Sequence, residues 1–349
     1  MSQATGNLCV VLARRPEGTA SASDFALVEQ AKPVPGPGQL LVRTQVLSLD
    51  PYMASAIQGR HMSGAVAVGD VMPGELVGVV EESRHPAFAQ GQTVLVRGGW
   101  RSFCLAEGAV SAAQGMSAIL APVAHRIDTS GGIPPSAWLG VLGMPGLTAF
   151  ALMMRTLRPA PGDTAVIFAA TGAVGSVAGQ LARCMGARAV AFVGSQDKAR
   201  HARDVLGFDD AVVRKAADLP AQLARACPNR IDALMTNDCG PGLDILLAHL
   251  AAGARVALIG NMSQYNSAQM LPGPALGPVI AQRATITGFV VYDHYDLMDR
   301  WQRTARELMA AGRLRFHEDR TPGLAQAPAG FARLMRGDTM GKALVVLED

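Results

Sequence analysis

From about Thr164 onward the chain alternates short apolar runs with helix-length segments, and this rhythm narrows the possible folds more than any other feature. Ala165 to Ala169, Ala189 to Val193, Ala233 to Thr236, Val256 to Ile259 and Thr285 to Val291 read as strands. Helices fall between them, including Val174 to Met185 and Gly242 to Ala251. Such alternation predicts a parallel sheet covered by helices. The first third differs. Strand-like runs at Leu8 to Leu12, Leu40 to Leu49, Glu75 to Val80, Thr93 to Val96 and Phe103 to Ala106 are separated by turns such as Pro35-Gly36-Pro37-Gly38, Pro73-Gly74 and Gly98-Gly99. The chain closes with one helical pattern, Ala325 to Met335, and a strand, Ala343 to Leu347. At 349 residues there is room for two ordinary domains.

Charge limits the functions open to such a chain. Lys and Arg total 31 against 28 Asp and Glu, a net +3, and charged residues make up only 17%. That is below the roughly 25% usual for globular proteins, so binding nucleic acid is not expected as the main role. The cysteines Cys9, Cys104, Cys184, Cys227 and Cys239 are far apart and form no C-x-x-C pair. They encode neither a disulfide framework nor a cysteine-based zinc knuckle, and a reducing, cytoplasmic setting is expected. The first residues lack the pattern of a secretion signal. Thr129 to Met154 carries no charge and is long enough on paper to span a bilayer. Pro134, Pro135, Gly140, Gly143, Pro145 and Gly146 make it read instead as buried loop and short helix, with no membrane role.

The strand Ala165 to Ala169 runs directly into Ala170-Thr171-Gly172-Ala173-Val174-Gly175, and an uncharged helical stretch, Ser176 to Ala182, follows. In this context Gly172 would let the backbone approach a pyrophosphate and Gly175 would let the helix pack on the strand. The helix N-terminus would receive the anion. Ala170 replaces the first glycine of G-x-G-x-x-G, so the motif alone leaves open a glycine-rich turn without a ligand. NAD sites place a carboxylate at the end of the next strand. Here that strand ends Val193-Gly194-Ser195-Gln196, with Lys198 in the following turn and Arg200, Arg203, Arg214 and Lys215 beyond. Basic residues suit a 2′-phosphate, which favours NADPH over NADH. Arg200 and Arg203 read equally well as a solvated helix face, and Lys198 is the preferred phosphate partner.

Other chemistries find little support. His61, His85, His125, His201, His249, His294 and His317 form no H-x-x-x-H or H-E-x-x-H pair, and no G-x-S-x-G elbow occurs. Gly337 to Ala343 imitates a P-loop at the wrong spacing.

A set of motifs spread along nearly the whole chain carries a resemblance. They are Leu49-Asp50-Pro51-Tyr52-Met53, Gly143-Met144-Pro145-Gly146-Leu147-Thr148-Ala149, Gly172-Ala173-Val174-Gly175-Ser176, Ser263-Gln264-Tyr265-Asn266, Gly288-Phe289-Val290-Val291-Tyr292 and Gly341-Lys342. Together they resemble the zinc-free branch of the medium-chain dehydrogenases and reductases, the group of prostaglandin reductase, leukotriene B4 12-hydroxydehydrogenase and plant double-bond reductases. The resemblance implies an α/β protein. A doubly wound Rossmann domain over 130–310 would bind NADPH, and a GroES-like β-rich domain would form from both chain ends, 1–129 and 311–349. It also implies reduction of a carbon-carbon double bond next to a carbonyl, no metal, and a homodimer.

Carried over by the same resemblance, cofactor contacts fall on Met144, Thr148, Gly172, Ala173, Val174, Gly194, Lys198, Asn237, Tyr265, Phe289 and Gly341. Arg214 and Thr339 join them in place of a tyrosine and an asparagine of relatives. Asp238-Cys239-Gly240 replaces Val-Gly-Gly, and Ala54-Ser55 stands where relatives often have arginine. Zinc-dependent relatives have a cysteine and a His-Glu pair where this chain has Asp50-Pro51-Tyr52-Met53 and Gly74-Glu75.

On the substrate side stand Tyr52, Tyr265 and Tyr292. A phenol at Tyr265 could stabilise negative charge on a carbonyl oxygen, the alternative being an ordinary loop tyrosine. Tyr52 either lines the pocket or braces its loop, and Leu271 to Pro278 either borders the pocket or simply connects. The expected activity is an NADPH-dependent 2-alkenal or enone reductase acting on small α,β-unsaturated carbonyl compounds. The alternatives are a quinone oxidoreductase of the same fold and a nucleotide-binding protein without catalysis.

Overall fold

The structure, a computed structural model, describes residues 6–62, 64–108, 121–265 and 272–347. Two compact units divide the chain. One comprises Met1–Leu139, Glu318–Thr339 and Ala343–Asp349; the other comprises Gly140–His317 and Met340–Lys342.

In the first unit β1 (Gly6–Leu12) pairs antiparallel with β2 (Phe25–Ala31). Next come β3 (Gln39–Ser48), β4 (Leu76–Ser83), β5 (Thr93–Val96), β6 (Phe103–Glu107) and β7 (His125–Arg126). The second unit holds β8 (Thr164–Phe168), β9 (Arg188–Val193), β10 (Asp210–Val213), β11 (Ile231–Thr236), β12 (Leu250–Leu258) and β13 (Thr285–Gly288). The chain then returns to the first unit through β14 (Glu318–Pro322) and β15 (Lys342–Val346). A seven-stranded sheet results, in the order β14-β15-β3-β4-β5-β7 with β6 on β3. Leu344 of β15 pairs antiparallel with Ser48 of β3, so the C-terminus completes a sheet begun near the N-terminus. The core is shared in the same way. Phe331, on the helix Ala327–Arg336, meets Trp100 edge-on at 5.7 Å, and Trp100 stacks on Phe25 at 5.8 Å.

The second unit is a six-stranded parallel sheet in the order β10-β9-β8-β11-β12-β13, a Rossmann arrangement. All five residues of β8 are buried, as befits a central strand covered on both faces. Val166, Phe168, Val190, Phe192, Leu234 and Val256 share one core with residues that include Leu223, Leu246 and Leu247. Each fully buried side chain of this size contributes about 1.5–3 kcal/mol.

Several elements differ from the sequence reading. β2, β7, β10 and β14 are short or largely exposed strands that cross-strand pairing holds in place, so hydropathy alone gives little sign of them. The expected helix Gly242 to Ala251 is a 3-10 turn, Pro241–Leu243, and a four-residue helix, Asp244–Leu247, before β12 begins at Leu250. A short apolar run has no period long enough to separate helix from strand. The expected strand Thr285 to Val291 ends at Gly288, and Val291–Leu297 winds into a 3-10 helix. The uncharged stretch before Arg155 forms the turns Ser130–Gly132 and Pro135–Leu139 and the helix Met144–Ala151. Among the described residues no helix is long and apolar enough to cross a membrane.

Candidate active site

Parallel pairing in register sends the loops after all six strands of the second unit to one edge of its sheet. Ile167 pairs with Ala191 and Met235, Ala191 with Ala211, Met235 with Ala257, and Ala257 with Thr287. Strand order reverses between β8 and β11, and in open α/β sheets a ligand binds outside the carboxyl ends of the strands at such a point.

The turn after β8 is tight. Ala169 has φ +50°, a left-handed conformation unusual for alanine, and its carbonyl accepts the Gly172 amide at 2.8 Å. A Cβ on Gly175 would lie 2.4 Å from that carbonyl oxygen, so only glycine lets the helix Gly175–Cys184 start so close to the strand. Ala170, in place of the usual first glycine, is fully buried, its methyl group packed inside. Gly172, Ala173 and Val174 keep partial exposure just ahead of the buried helix. Gly341 reaches the same turn, its amide donating to the Thr171 carbonyl at 2.8 Å. Met144 is partly exposed at the start of its helix, and the buried Thr148 donates its hydroxyl to the Met144 carbonyl at 2.8 Å.

Beyond this turn lies a basic end. Because Val213 pairs with Val193, Arg214 emerges beside Gly194, where a Cβ would stand 3.8 Å from the Arg214 Nε. The Arg214 guanidinium lies 5.8 Å from the Phe168 ring centre, and no ion pair engages it among the described residues. Ser195 caps the helix Gln196–Asp204 by accepting the Lys198 amide at 3.3 Å, which fixes Lys198 in the first turn after β9. Arg200 pairs with Asp197 on the exposed face of this helix.

Across the reversal lies a less charged end. Asn237 follows β11, and its Oδ1 is buried without a hydrogen-bond partner. A methyl group on Gly260 would stand 3.6 Å from both the Asn237 Cβ and the Tyr265 hydroxyl, which places these three together. Tyr265 ends the short helix Met262–Tyr265 and is half-buried. Burial, the largest influence, pushes its phenol above the ordinary value of 10.0, although a hydrogen bond from the Asn261 backbone opposes the shift. Phe289, after β13, is buried and stacks on His294 with ring centres 4.6 Å apart. His294 in turn meets the guanidinium of Arg155, which also pairs with Asp296. Tyr292 stacks on Tyr295 at 6.4 Å.

Two expected residues belong to the other unit. Tyr52 begins the helix Tyr52–Ile57, its ring centre 4.9 Å from that of His61, and Thr339 is buried. Asn266 and Leu271 lie outside the described residues. Asp238, Cys239 and Gly260 were not singled out as site residues from sequence. The one local sign was Asp238 two residues before Gly240, a spacing that suits an Asx turn.

The profile described as N-terminal domain of oxidoreductase matches residues 9–114, and that described as zinc-binding dehydrogenase matches residues 173–310. NADPH-dependent curcumin reductase of Escherichia coli is 36% identical over 344 residues, 96% of this chain and 95% of that protein. The chain belongs to the zinc-free medium-chain dehydrogenases and reductases. Within this family, 2-alkenal reductase (NADP(+)-dependent) of Nicotiana tabacum is 31% identical, covering 99% of each chain. The crystal structure of CurA in complex with NADPH from Vibrio vulnificus superposes with a TM-score of 0.89 at 34% identity, covering 98% of this chain and 99% of that one. Among the described residues no group of three or more His, Cys, Asp or Glu could hold a metal ion.

Proposed function

We propose that this protein is an NADPH-dependent reductase of the carbon-carbon double bond in small α,β-unsaturated ketones and aldehydes. The observation that carries the reading is the half-buried Tyr265 hydroxyl grouped with Asn237 at the carboxyl edge of the sheet. The residues fit the cofactor. The unpaired guanidinium of Arg214 beside Gly194, with Lys198 in the next turn, suits a 2′-phosphate. The tight turn at Gly172 suits a pyrophosphate, and the partnerless Oδ1 of Asn237 calls for a donor from a bound group.

In this reading Lys198 and Arg214 would hold the 2′-phosphate, and the amides of Ala173 and Val174, in the turn that the Gly172 amide closes on Ala169, would hold the pyrophosphate. When bound, NADPH supplies a hydride to the β-carbon of the substrate. Tyr265 donates its O–H to the carbonyl oxygen, where negative charge grows during the reaction, and stabilises that charge more than the ground state. Burial keeps the phenol protonated and therefore a donor. Solvent then protonates the α-carbon.

An acceptor panel of alkenals, alkenones, quinones and saturated aldehydes, followed by loss of NADPH absorbance, tests the proposal. Turnover of alkenals and alkenones, with saturated aldehydes inert, is expected. Turnover of quinones alone would assign a quinone oxidoreductase, and NADPH binding without oxidation a non-catalytic protein.

We also propose a homodimer built on β13. This strand is the outer strand of its sheet and is mostly exposed, and in the neighbouring helix Gly277–Gln282 Ile280 is 78% exposed. An open edge of this kind is a template for pairing with a second copy. Light scattering at the mass of one chain would dismiss it. All five cysteines are free, which suits a cytoplasmic enzyme.

A further inference from the structure

The helix that carries Tyr265 is only four residues long, Met262–Tyr265, and one turn of helix is not stable by itself. Its amides show what holds it. Gln264 and Tyr265 both donate to the Asn261 carbonyl, at 3.0 and 3.1 Å. The other two donate to the loop after β11: Met262 to the Asn237 carbonyl at 2.8 Å, and Ser263 to the Asp238 carboxylate Oδ1 at 3.3 Å. Half of the turn's donors are thus satisfied from outside it, one of them by a side chain.

That side chain is itself fixed. The Asp238 amide donates to the Thr236 hydroxyl at 3.1 Å, and the same hydroxyl donates to the Asp238 carbonyl at 2.8 Å. The Gly240 amide donates to Asp238 Oδ1 at 3.2 Å, closing the loop on the carboxylate. Thr236 is fully buried at the end of β11, so the bracket is anchored in the sheet. The two segments also touch at Gly240, where a Cβ would stand 2.8 Å from the Ser263 Oγ. A carboxylate accepting amides at the start of a helical turn forms charge-assisted hydrogen bonds, stronger than those of a neutral acceptor.

We propose that Asp238 is the positioning residue for Tyr265, its carboxylate clamping the turn that carries the phenol to the loop that carries Asn237. The proposal rests on the catalytic reading of Tyr265 given above. A displacement of about 1 Å at a reacting centre can cost as much as 10²-fold in rate. Loss of one of the two clamping bonds is expected to cost about a tenth of that.

The test combines Asp238→Ala and Asp238→Asn with Tyr265→Phe in a double-mutant cycle on a good enone, with NADPH affinity and melting temperature measured alongside. Asp238→Ala is expected to lower kcat about 10-fold with NADPH Kd within about 2-fold. Asp238→Asn keeps an acceptor oxygen and is expected to recover most of the loss. In the Tyr265→Phe background, Asp238→Ala is expected to cost almost nothing more, because coupled residues are not additive. Where Tyr265→Phe is itself slow, an equal loss in both backgrounds, or an unchanged kcat in Asp238→Ala, overturns the proposal. A second readout does not depend on catalysis. With ζ-carbon-labelled tyrosine, the Tyr265 signal is assigned by its absence in Tyr265→Phe, and it is expected to shift in Asp238→Ala and stay in place in Asp238→Asn. A shift with full activity in Tyr265→Phe would uphold the clamp and overturn the catalytic reading of Tyr265. An unmoved signal overturns the clamp.

Discussion

The two ends of the carboxyl edge in the Rossmann unit are built on opposite principles. At the β9–β10 end, Arg214 is exposed and Lys198 half-exposed, each sent to the solvent side by one strand terminus. At the β11–β12 end, Asn237 and Tyr265 are half-buried, and backbone hydrogen bonds tie their segments together. Exposed charges recognise an anion but are weakened by solvent and salt. A half-buried neutral donor is held in one place with little water to compete, which is what a developing charge requires. The first end therefore governs which cofactor binds, and the second how fast the bound pair reacts.

The sharpest break in this comparison is Tyr265→Phe. The ring is kept, so packing is nearly unchanged. Removal of one donor to a developing oxyanion costs about 10²–10³ in rate, and a second donor on the cofactor ribose would soften this to about 10²-fold or somewhat less. Turnover should fall by that factor while NADPH Kd stays within about 2-fold. An unchanged kcat, under conditions where hydride transfer limits the rate, would leave Tyr265 as a wall of the pocket.

Lys198→Ala acts at the other end and should show the reverse pattern. A hydrogen bond to a charged group contributes roughly 1.5–3 kcal/mol, so NADPH binding should weaken by about 10 to 100-fold. NADH, which lacks the 2′-phosphate, should be almost indifferent, and kcat at saturating NADPH should hold. Arg214→Ala should move in the same direction. Equal weakening of both cofactors would show that Lys198 supports the helix and not the phosphate.

A smaller effect follows from the burial of Tyr265. Its phenol titrates above 10.0, so the donor stays protonated through the alkaline range and is lost only as pH rises past that value. The kcat profile should be flat within about 2-fold from pH 7 to 9 as far as this group is concerned. Any alkaline limb due to Tyr265 should lie above pH 10.0 and vanish in Tyr265→Phe. A limb below that value that disappears in the variant would contradict the burial described here.

The two ends were also unequally legible. Gly172, Gly175 and Lys198 all sit within seven residues of their strand ends, so local pattern places them. Arg214 is a neighbour of Gly194 only through β10, a four-residue strand whose apolar run, Ala-Val-Val, is too short to be told from a stretch of helix. At the other end, nothing local joins Asn237 to Tyr265, which are 28 positions apart; the parallel register of β11 on β12 does. Resemblance supplied that pair, whereas Asp238 was noted only as a departure, because its role lies in hydrogen bonds to Gly240 and Ser263. In the first unit, β14 has the sequence Glu-Asp-Arg-Thr-Pro, and no propensity argument finds a strand in it.

The smallest expected effect is none at all. If polarisation of the carbonyl at the Tyr265 end comes from a hydroxyl donor, exhaustive chelation should leave the rate unchanged within error. The chemistry of the available ligands supports this. Glu75 is buried and paired with Arg97 at 3.0 Å, so its charge is already met. A cysteine binds metal as the thiolate, yet burial pushes the thiols of Cys104 and Cys227 up to about 12, and at neutral pH both stay protonated. Cys239, the thiol nearest the Tyr265 end, is likewise raised by burial and by the adjacent Asp238 carboxylate. Activity lost to a chelator and restored by zinc would mean that a Lewis acid does the work assigned to Tyr265, and the contrast between the two ends would then be one of charge against metal.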